Sequence, residues 1–182
     1  MADNKQEIGV FGGGCFWCTE AVFTQVKGVL SVMPGYAGGK VEKPTYEQVS
    51  SGNTGHAEGI KVEFDPAQVS YRDLLGIFFG THNPTTMNRQ GGDVGEQYRS
   101  IVLTTSDQQA SAANEFIAEL NTAGDFGAPI VTKVEPLKEF YEAEEYHRNY
   151  YANNPEAGYC QAIINPKLAK FRAKYAHLLR PD

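Results

Sequence analysis

IGVFGGGCFWCTE, residues 8–20, runs from an apolar stretch through three glycines into two of the chain's three cysteines. Ile8–Phe11 reads as a short strand that breaks at Gly12-Gly13-Gly14. Cys15–Val26 reads as the helix that follows, with Val22 and Val26 spaced for a buried face. Downstream, Val29–Tyr36 has the pattern of a second strand, followed by a glycine-rich loop with a helical turn at Tyr46–Ser50. Alternation is clear in HAEGIKVEFD, residues 56–65: His56, Glu58, Ile60, Val62 and Phe64 share one face, and Ala57, Gly59, Lys61 and Glu63 the other. Ser70 is a good N-cap for a helix from Tyr71 to about Thr81. That helix ends at THNPTT because the residue before Pro84 is pushed out of helical space. EQYRSIVLTT reads as a strand, Ser106–Ala123 as a long amphipathic helix and Ile130–Val134 as another strand. The tail holds an aromatic-rich segment EFYEAEEYHRNYY, a loop NNPEAGYC and a helix over about Lys167–Leu179. The order βαββαβ in the first hundred residues predicts an α+β fold. Its core is a split βαβ (ferredoxin-like) unit, a mixed and largely antiparallel sheet with helices packed on one face and a C-terminal extension.

At 182 residues the chain suits a single domain, 1–182, able to bury its own core. A hydrophobic fraction of 41% with 21% charged residues fits a soluble globular protein rather than a disordered one. A net charge of -6 without any basic run argues against nucleic acid as a partner. The densest apolar stretch, LLGIFFG, falls far short of the roughly 20 residues that a membrane span needs. MADNKQE lacks the basic and apolar regions of a secretory signal, so a cytoplasmic chain is expected, and the chain is separately expected to be a monomer. An odd number of cysteines does not suit a disulfide-stapled secreted domain either.

Cys15 stands where a helix presents unpaired N–H groups and the positive end of its dipole, and both favour thiolate over thiol. By position alone it is either a nucleophile or a small buried residue at a strand-to-helix turn. Three preceding glycines favour the nucleophile, because they let a backbone approach a ligand closely. Phe16 and the chain's only tryptophan, Trp17, have the makings of a pocket for a small apolar group such as a thioether-like methyl. Glu58, a carboxyl in phase with an apolar strand face, is either solvated or held protonated by burial, in which case it donates a proton near neutral pH. His56 reads as a partly exposed strand-end residue without a role. Asp93 lies in a glycine-rich loop, and Tyr46 and Tyr98 each offer a phenol to a polar ligand. Cys18 is one turn from Cys15 on the same face, and Cys160 sits in a loop free to travel. No metal site is expected, since one C-x-x-C with a distant cysteine makes a poor zinc pattern.

Taken together, GGGCFWCTE, GYAGG, PTYEQVSSGNTGHAE, THNPTT, GGDVGEQYRS and NPEAGYC resemble the peptide methionine sulfoxide reductase A family, in order and over nearly the whole chain. The resemblance implies thiol-dependent reduction of the S epimer of methionine sulfoxide, free or in oxidised proteins. No bound cofactor is implied; thioredoxin or another dithiol is the external reductant. Cys15 matches the catalytic cysteine, Phe16 and Trp17 the methyl pocket, and Glu58 the acid that protonates the sulfoxide oxygen. Tyr46, Asp93 and Tyr98 match residues that bind the oxygen end and order the site. Cys160 matches the resolving cysteine and is expected to react first with the Cys15 sulfenic acid, with Cys18 second or a bystander. The family usually has glycine at the position of Cys18 and aspartate at that of Asn83, and some members carry a further C-terminal cysteine. Two rival readings are a thioredoxin-like disulfide oxidoreductase and a small zinc-stabilised binding module.

Overall fold

Strand β1 (Glu7–Gly13) leads through the glycine run into helix α1 (Phe16–Phe23), as the sequence predicts. In this computed structural model, which describes residues 6–181, the chain continues through β2 (Val29–Ala37), α2 (Tyr46–Ser50), β3 (Ala57–Phe64) and α3 (Tyr71–Gly80). A short hairpin follows, β4 (Arg89–Gln90) and β5 (Asp93–Val94), and then β6 (Ser100–Thr104) and α4 (Asp107–Ala123). The chain ends with β7 (Lys133–Pro136), β8 (Phe140–Glu142), α5 (Tyr150–Asn153) and α6 (Asn165–Lys174). The polar residues 1–5, on which the expectation of a cytoplasmic chain partly rests, lie outside the described residues.

Six strands form one sheet in the order β7-β6-β1-β3-β2-β8. The four middle strands, β6-β1-β3-β2, are antiparallel neighbours joined through α1 and α3, which is the predicted split βαβ core. β8 extends it antiparallel to β2 and β7 parallel to β6, making the sheet mixed. Apolar residues of α1, α3, α4 and α6 pack on one face, where Phe11 stacks 5.5 Å from Phe23 and lies 5.3 Å from Phe78. Each such fully buried ring contributes about 1.5–3 kcal/mol. A smaller cluster of Val10, Ala37, Ala57, Ile101 and Leu103 closes the other face under Leu137 and Phe140.

Ser70 caps α3 as expected: its hydroxyl accepts from Asp73 N–H at 2.9 Å, and the Asp73 carboxylate accepts from Ser70 N–H at 3.1 Å. Other boundaries shift. α1 stops at Phe23 and not at Val26, because Val26 bridges to Leu179 and Lys27 N–H donates to Leu178 O at 2.7 Å. β6 starts at Ser100 because Glu96–Tyr98 forms a 3-10 turn, and β7 begins three residues later than the apolar run suggests. The final helix breaks after Lys174, where the Tyr175 hydroxyl donates to Gly76 O at 2.9 Å. Cys160 is not in a loop. It opens a π-helical turn, Cys160–Ile164, that runs into α6, and it is completely buried. Pro166 explains the wide turn, since it offers no N–H to the carbonyl of Ala162 and its ring crowds that group.

Candidate active site

The strand-to-helix junction brings β1, β3 and α1 together. A methyl group on Gly12 would lie 2.9 Å from Glu58 O, and Gly14 has φ +97, a conformation that only glycine adopts without strain. The glycines therefore admit the chain itself, Glu58 and Gln90 above all, where the sequence suggested a ligand. Cys15 is the N-cap of α1, with extended backbone, and its carbonyl accepts from Cys18 N–H at 3.1 Å and Thr19 N–H at 3.4 Å. It is half-buried, whereas Cys18 and Cys160 are buried, and all three cysteines are free thiols.

Glu58 is 1% exposed in the middle of β3. Its Oε1 accepts from Phe16 N–H at 3.2 Å, which fixes the carboxyl beside the residue that follows Cys15. Its Oε2 is buried without a partner. Burial raises its pKa to about 8; the Phe16 N–H opposes this, and the nearby charges of Asp93 and Cys18 reinforce it. At neutral pH the carboxyl is therefore an acid with a proton to give.

The Cys15 thiol departs from the thiolate expected at a helix start. Its hydrogen bond to Cys18, its burial and the negative potential of Glu58 push its pKa well above the ordinary thiol value. Cys18 goes the other way, to about 7, because Cys15 donates to it and Lys167 and the Tyr159 hydroxyl add to the effect against burial. The two thiols thus titrate as a coupled pair in which Cys18 is the more acidic member.

Around the pair stands an aromatic wall. The Phe16 ring is fully buried, 5.0 Å from His147 and 6.5 Å from Tyr46. The Trp17 indole stacks on Tyr150 at 3.7 Å with 7° between planes, and its Nε1–H donates to His147 Nδ1 at 3.0 Å. Tyr46 and Tyr98 stay protonated, because burial and the potential of Glu58 both raise their phenols. Asp93, in the β4–β5 hairpin, accepts the Tyr159 hydroxyl at 3.0 Å, and Tyr159 in turn lies 3.6 Å from Cys18 Sγ.

Cys15, Phe16, Trp17, Cys18, Tyr46, Glu58, Asp93 and Tyr98 therefore converge on one place. Cys160 is buried in the core cluster that also holds Cys18, and burial, with a smaller contribution from the charge of Cys18, raises its thiol. His147, Tyr150, Tyr159 and Glu144 are participants that the sequence did not single out. Glu144 accepts from Tyr36 OH at 2.8 Å and from Tyr46 N–H at 2.9 Å, tying α2 to β2. The density of aromatics over residues 139–151 was the only signal for Glu144, His147 and Tyr150, and Tyr159 lies in the NNPEAGYC stretch. His56 is not a partly exposed strand end: it is buried, and it accepts from Gly39 N–H through Nδ1 at 3.0 Å. Among the described residues no group of three or more His, Cys, Asp or Glu is arranged to hold a metal ion, and no helix is long and apolar enough to cross a membrane.

The family model for peptide methionine sulfoxide reductase matches residues 7–179. A peptide methionine sulfoxide reductase MsrA of Deinococcus radiodurans is 56% identical over 175 residues, covering 96% of this chain and 85% of that protein. Among solved structures, reduced Mxr1 from Saccharomyces cerevisiae superposes with a TM-score of 0.79 at 34% identity, covering 87% of this chain and 91% of that one. Mxr1 in complex with Trx2 matches at 25% identity and a TM-score of 0.57, covering 81% and 86%.

Proposed function

The chain belongs to the peptide methionine sulfoxide reductase family, and from that premise we propose that Cys15 is the nucleophile and Glu58 the acid in reduction of the S epimer of methionine sulfoxide, protein-bound or free. A sulfoxide sulfur is a weak electrophile until its oxygen is protonated, so thiolate and acid have to act on it together. The Cys15 proton first moves to Cys18, which leaves a thiolate on Cys15. That thiolate attacks the substrate sulfur while Glu58 gives its proton to the oxygen. Oxygen and proton end on Cys15 as a sulfenic acid, the substrate leaves as methionine, and Cys15 has been oxidised by two electrons.

Phe16 and Trp17 hold the substrate methyl group, and the Tyr46 and Tyr98 phenols donate to the oxygen as negative charge builds there. Asp93 orders the site through Tyr159. One of the chain's other cysteines condenses with the sulfenic acid, and thioredoxin or another dithiol returns the disulfide to thiols. The yeast relative seen with Trx2 supports that route. The chain acts as a single domain in the cytoplasm, a setting that suits three free thiols.

The observation that carries this reading is the buried Glu58 carboxyl, one oxygen held by Phe16 N–H and the other without a partner, beside Cys15. Turnover of each methionine sulfoxide epimer with dithiothreitol tests it. Consumption of the S epimer alone is the expected result, and consumption of neither contradicts it.

A further inference from the structure

The segment 144–149, which brings His147 to the aromatic wall, is pinned nearly residue by residue. The Glu144 carboxylate accepts from Tyr36 OH and Tyr46 N–H, and its carbonyl accepts from His147 N–H at 2.9 Å. Arg148 N–H donates to Glu145 O at 3.0 Å, and its guanidinium pairs with Glu142 at 2.9 Å. Asn149 N–H donates to Oε2 of the buried Glu20 at 3.0 Å. His147 is itself buried, with Nδ1 taken by Trp17 Nε1–H. Between these fixed points the Tyr146 side chain is 63% exposed.

A single exposed apolar side chain is ordinary on a protein surface, but the contacts of this one are not. The His147 ring centroid lies 4.1 Å from that of Tyr146, 4.5 Å from Tyr46, 5.0 Å from Phe16 and 5.7 Å from Trp17. Tyr46, Phe16 and Trp17 form the wall beside Cys15 and Glu58, so Tyr146 continues that wall outward into solvent. Of the large apolar side chains left exposed among the described residues, Tyr146 is the single aromatic. A ring with few torsions on a fixed turn offers a large contact area and loses little freedom when something packs on it.

We infer that the Tyr146 ring is a subsite for peptide substrates, on which an apolar side chain next to the methionine sulfoxide packs while the sulfoxide enters the Phe16–Trp17 pocket. This rests on that pocket being the substrate site, and it names the substrate class that the site favours: methionine sulfoxide within a chain, beside an apolar residue, over free methionine sulfoxide. Through His147 the Trp17 and Tyr146 rings lie within about 10 Å of each other, a span that two successive side chains of one peptide reach from Cα atoms 3.8 Å apart. Free methionine sulfoxide has no neighbouring side chain and leaves the ring in water. Because Tyr146 touches the neighbour and not the reacting sulfur, the contact is equal in ground state and transition state and acts on KM.

Steady-state turnover by the full-length protein with dithiothreitol provides the test, on three substrates: free methionine (S)-sulfoxide and two end-blocked peptides carrying it between phenylalanines or between serines. Wild type is expected to show a kcat/KM about tenfold higher for the phenylalanine peptide than for the serine peptide, the scale of one aromatic pair with its buried area. Tyr146→Ser should lose that tenfold preference through a higher KM at unchanged kcat, and should stay within twofold of wild type on the free substrate. Tyr146→Phe keeps the ring and should keep the preference. A wild type that treats the two peptides alike, or a Tyr146→Ser that still favours the phenylalanine peptide, overturns the subsite. An equal fall on all three substrates in Tyr146→Ser overturns it as well, because the ring then acts only by supporting His147 and Trp17. Absence of turnover of the free (S)-sulfoxide by wild type instead removes the reading of the Phe16–Trp17 pocket on which the subsite rests.

Discussion

The start of α1 and the π-helical turn before α6 each carry a cysteine against the same core, yet their surroundings are opposite. Cys15 is half-buried, titrates together with a second thiol one turn away and has an acid of raised pKa beside it. Cys160 is fully buried, and its thiol is raised by that burial. Burial alone thus disfavours the thiolate of Cys160. The reactivity proposed for Cys15 draws instead on its coupling to Cys18, on its partial exposure and on the Glu58 carboxyl with one oxygen unpartnered.

The widest separation between the two regions is expected from replacing each thiol. Cys15→Ser should abolish reduction of methionine sulfoxide under every reductant, since an alcohol lacks the attacking thiolate. Cys160→Ala should leave kcat/KM with dithiothreitol unchanged. Next in size, Glu58→Gln keeps the hydrogen bond to Phe16 N–H while removing the proton donor, and should slow the chemical step by about 10²–10⁴-fold. A rate within twofold of wild type would place the acid elsewhere. Tyr98→Phe removes one of two phenols, and should lower kcat/KM by about 10–100-fold, the worth of a hydrogen bond to a charged group.

Smaller effects concern stability. Cys160→Ala opens space in a closed core and should lower the unfolding free energy by about 1 kcal/mol in urea titration, with Cys15→Ser closer to neutral. Glu58 adds a pH-dependent term whose sign follows from its raised pKa. Its native state keeps a proton up to about pH 8, whereas the unfolded chain releases it near the ordinary value of 4.5. The stability that the protonated native form provides is present below pH 4.5 and is lost as pH rises towards 8. Glu58→Gln should therefore match wild type in thermal melting at pH 4 and gain on it progressively up to about pH 8. A gap of constant size across that range would mean that Glu58 is ionised in the native protein.

The same contrast explains what the sequence disclosed. The glycine run, the period-two alternation around Glu58 and the Ser70 cap are local signals, and local physics was sufficient to place β1, α1, β3 and α3. Cys15, Phe16 and Trp17 are adjacent in the chain, and Glu58 announces itself as a carboxyl in an apolar phase. Residues 139–160 are different. Glu144, His147, Tyr150 and Tyr159 reach the site only because β8 pairs with β2 and α5 packs under Trp17, and neither pairing leaves a periodic trace. The burial of Cys160 is set by α6 docking on α1, a long-range contact, while its neighbours in NNPEAGYC have loop composition. Direction of charge within the Cys15–Cys18 pair was equally hidden, because Lys167 comes to Cys18 from the far end of the chain.

The most direct test of the acid at Glu58 is the pH profile of kcat/KM for the S epimer with dithiothreitol, which reports the free enzyme up to methionine release and not the later resolution. Wild type should lose activity as pH rises through about 8, where Glu58 gives up its proton, and Glu58→Gln should be slow but without that alkaline limb. An identical alkaline fall in both proteins would contradict the assignment of Glu58 as the proton donor.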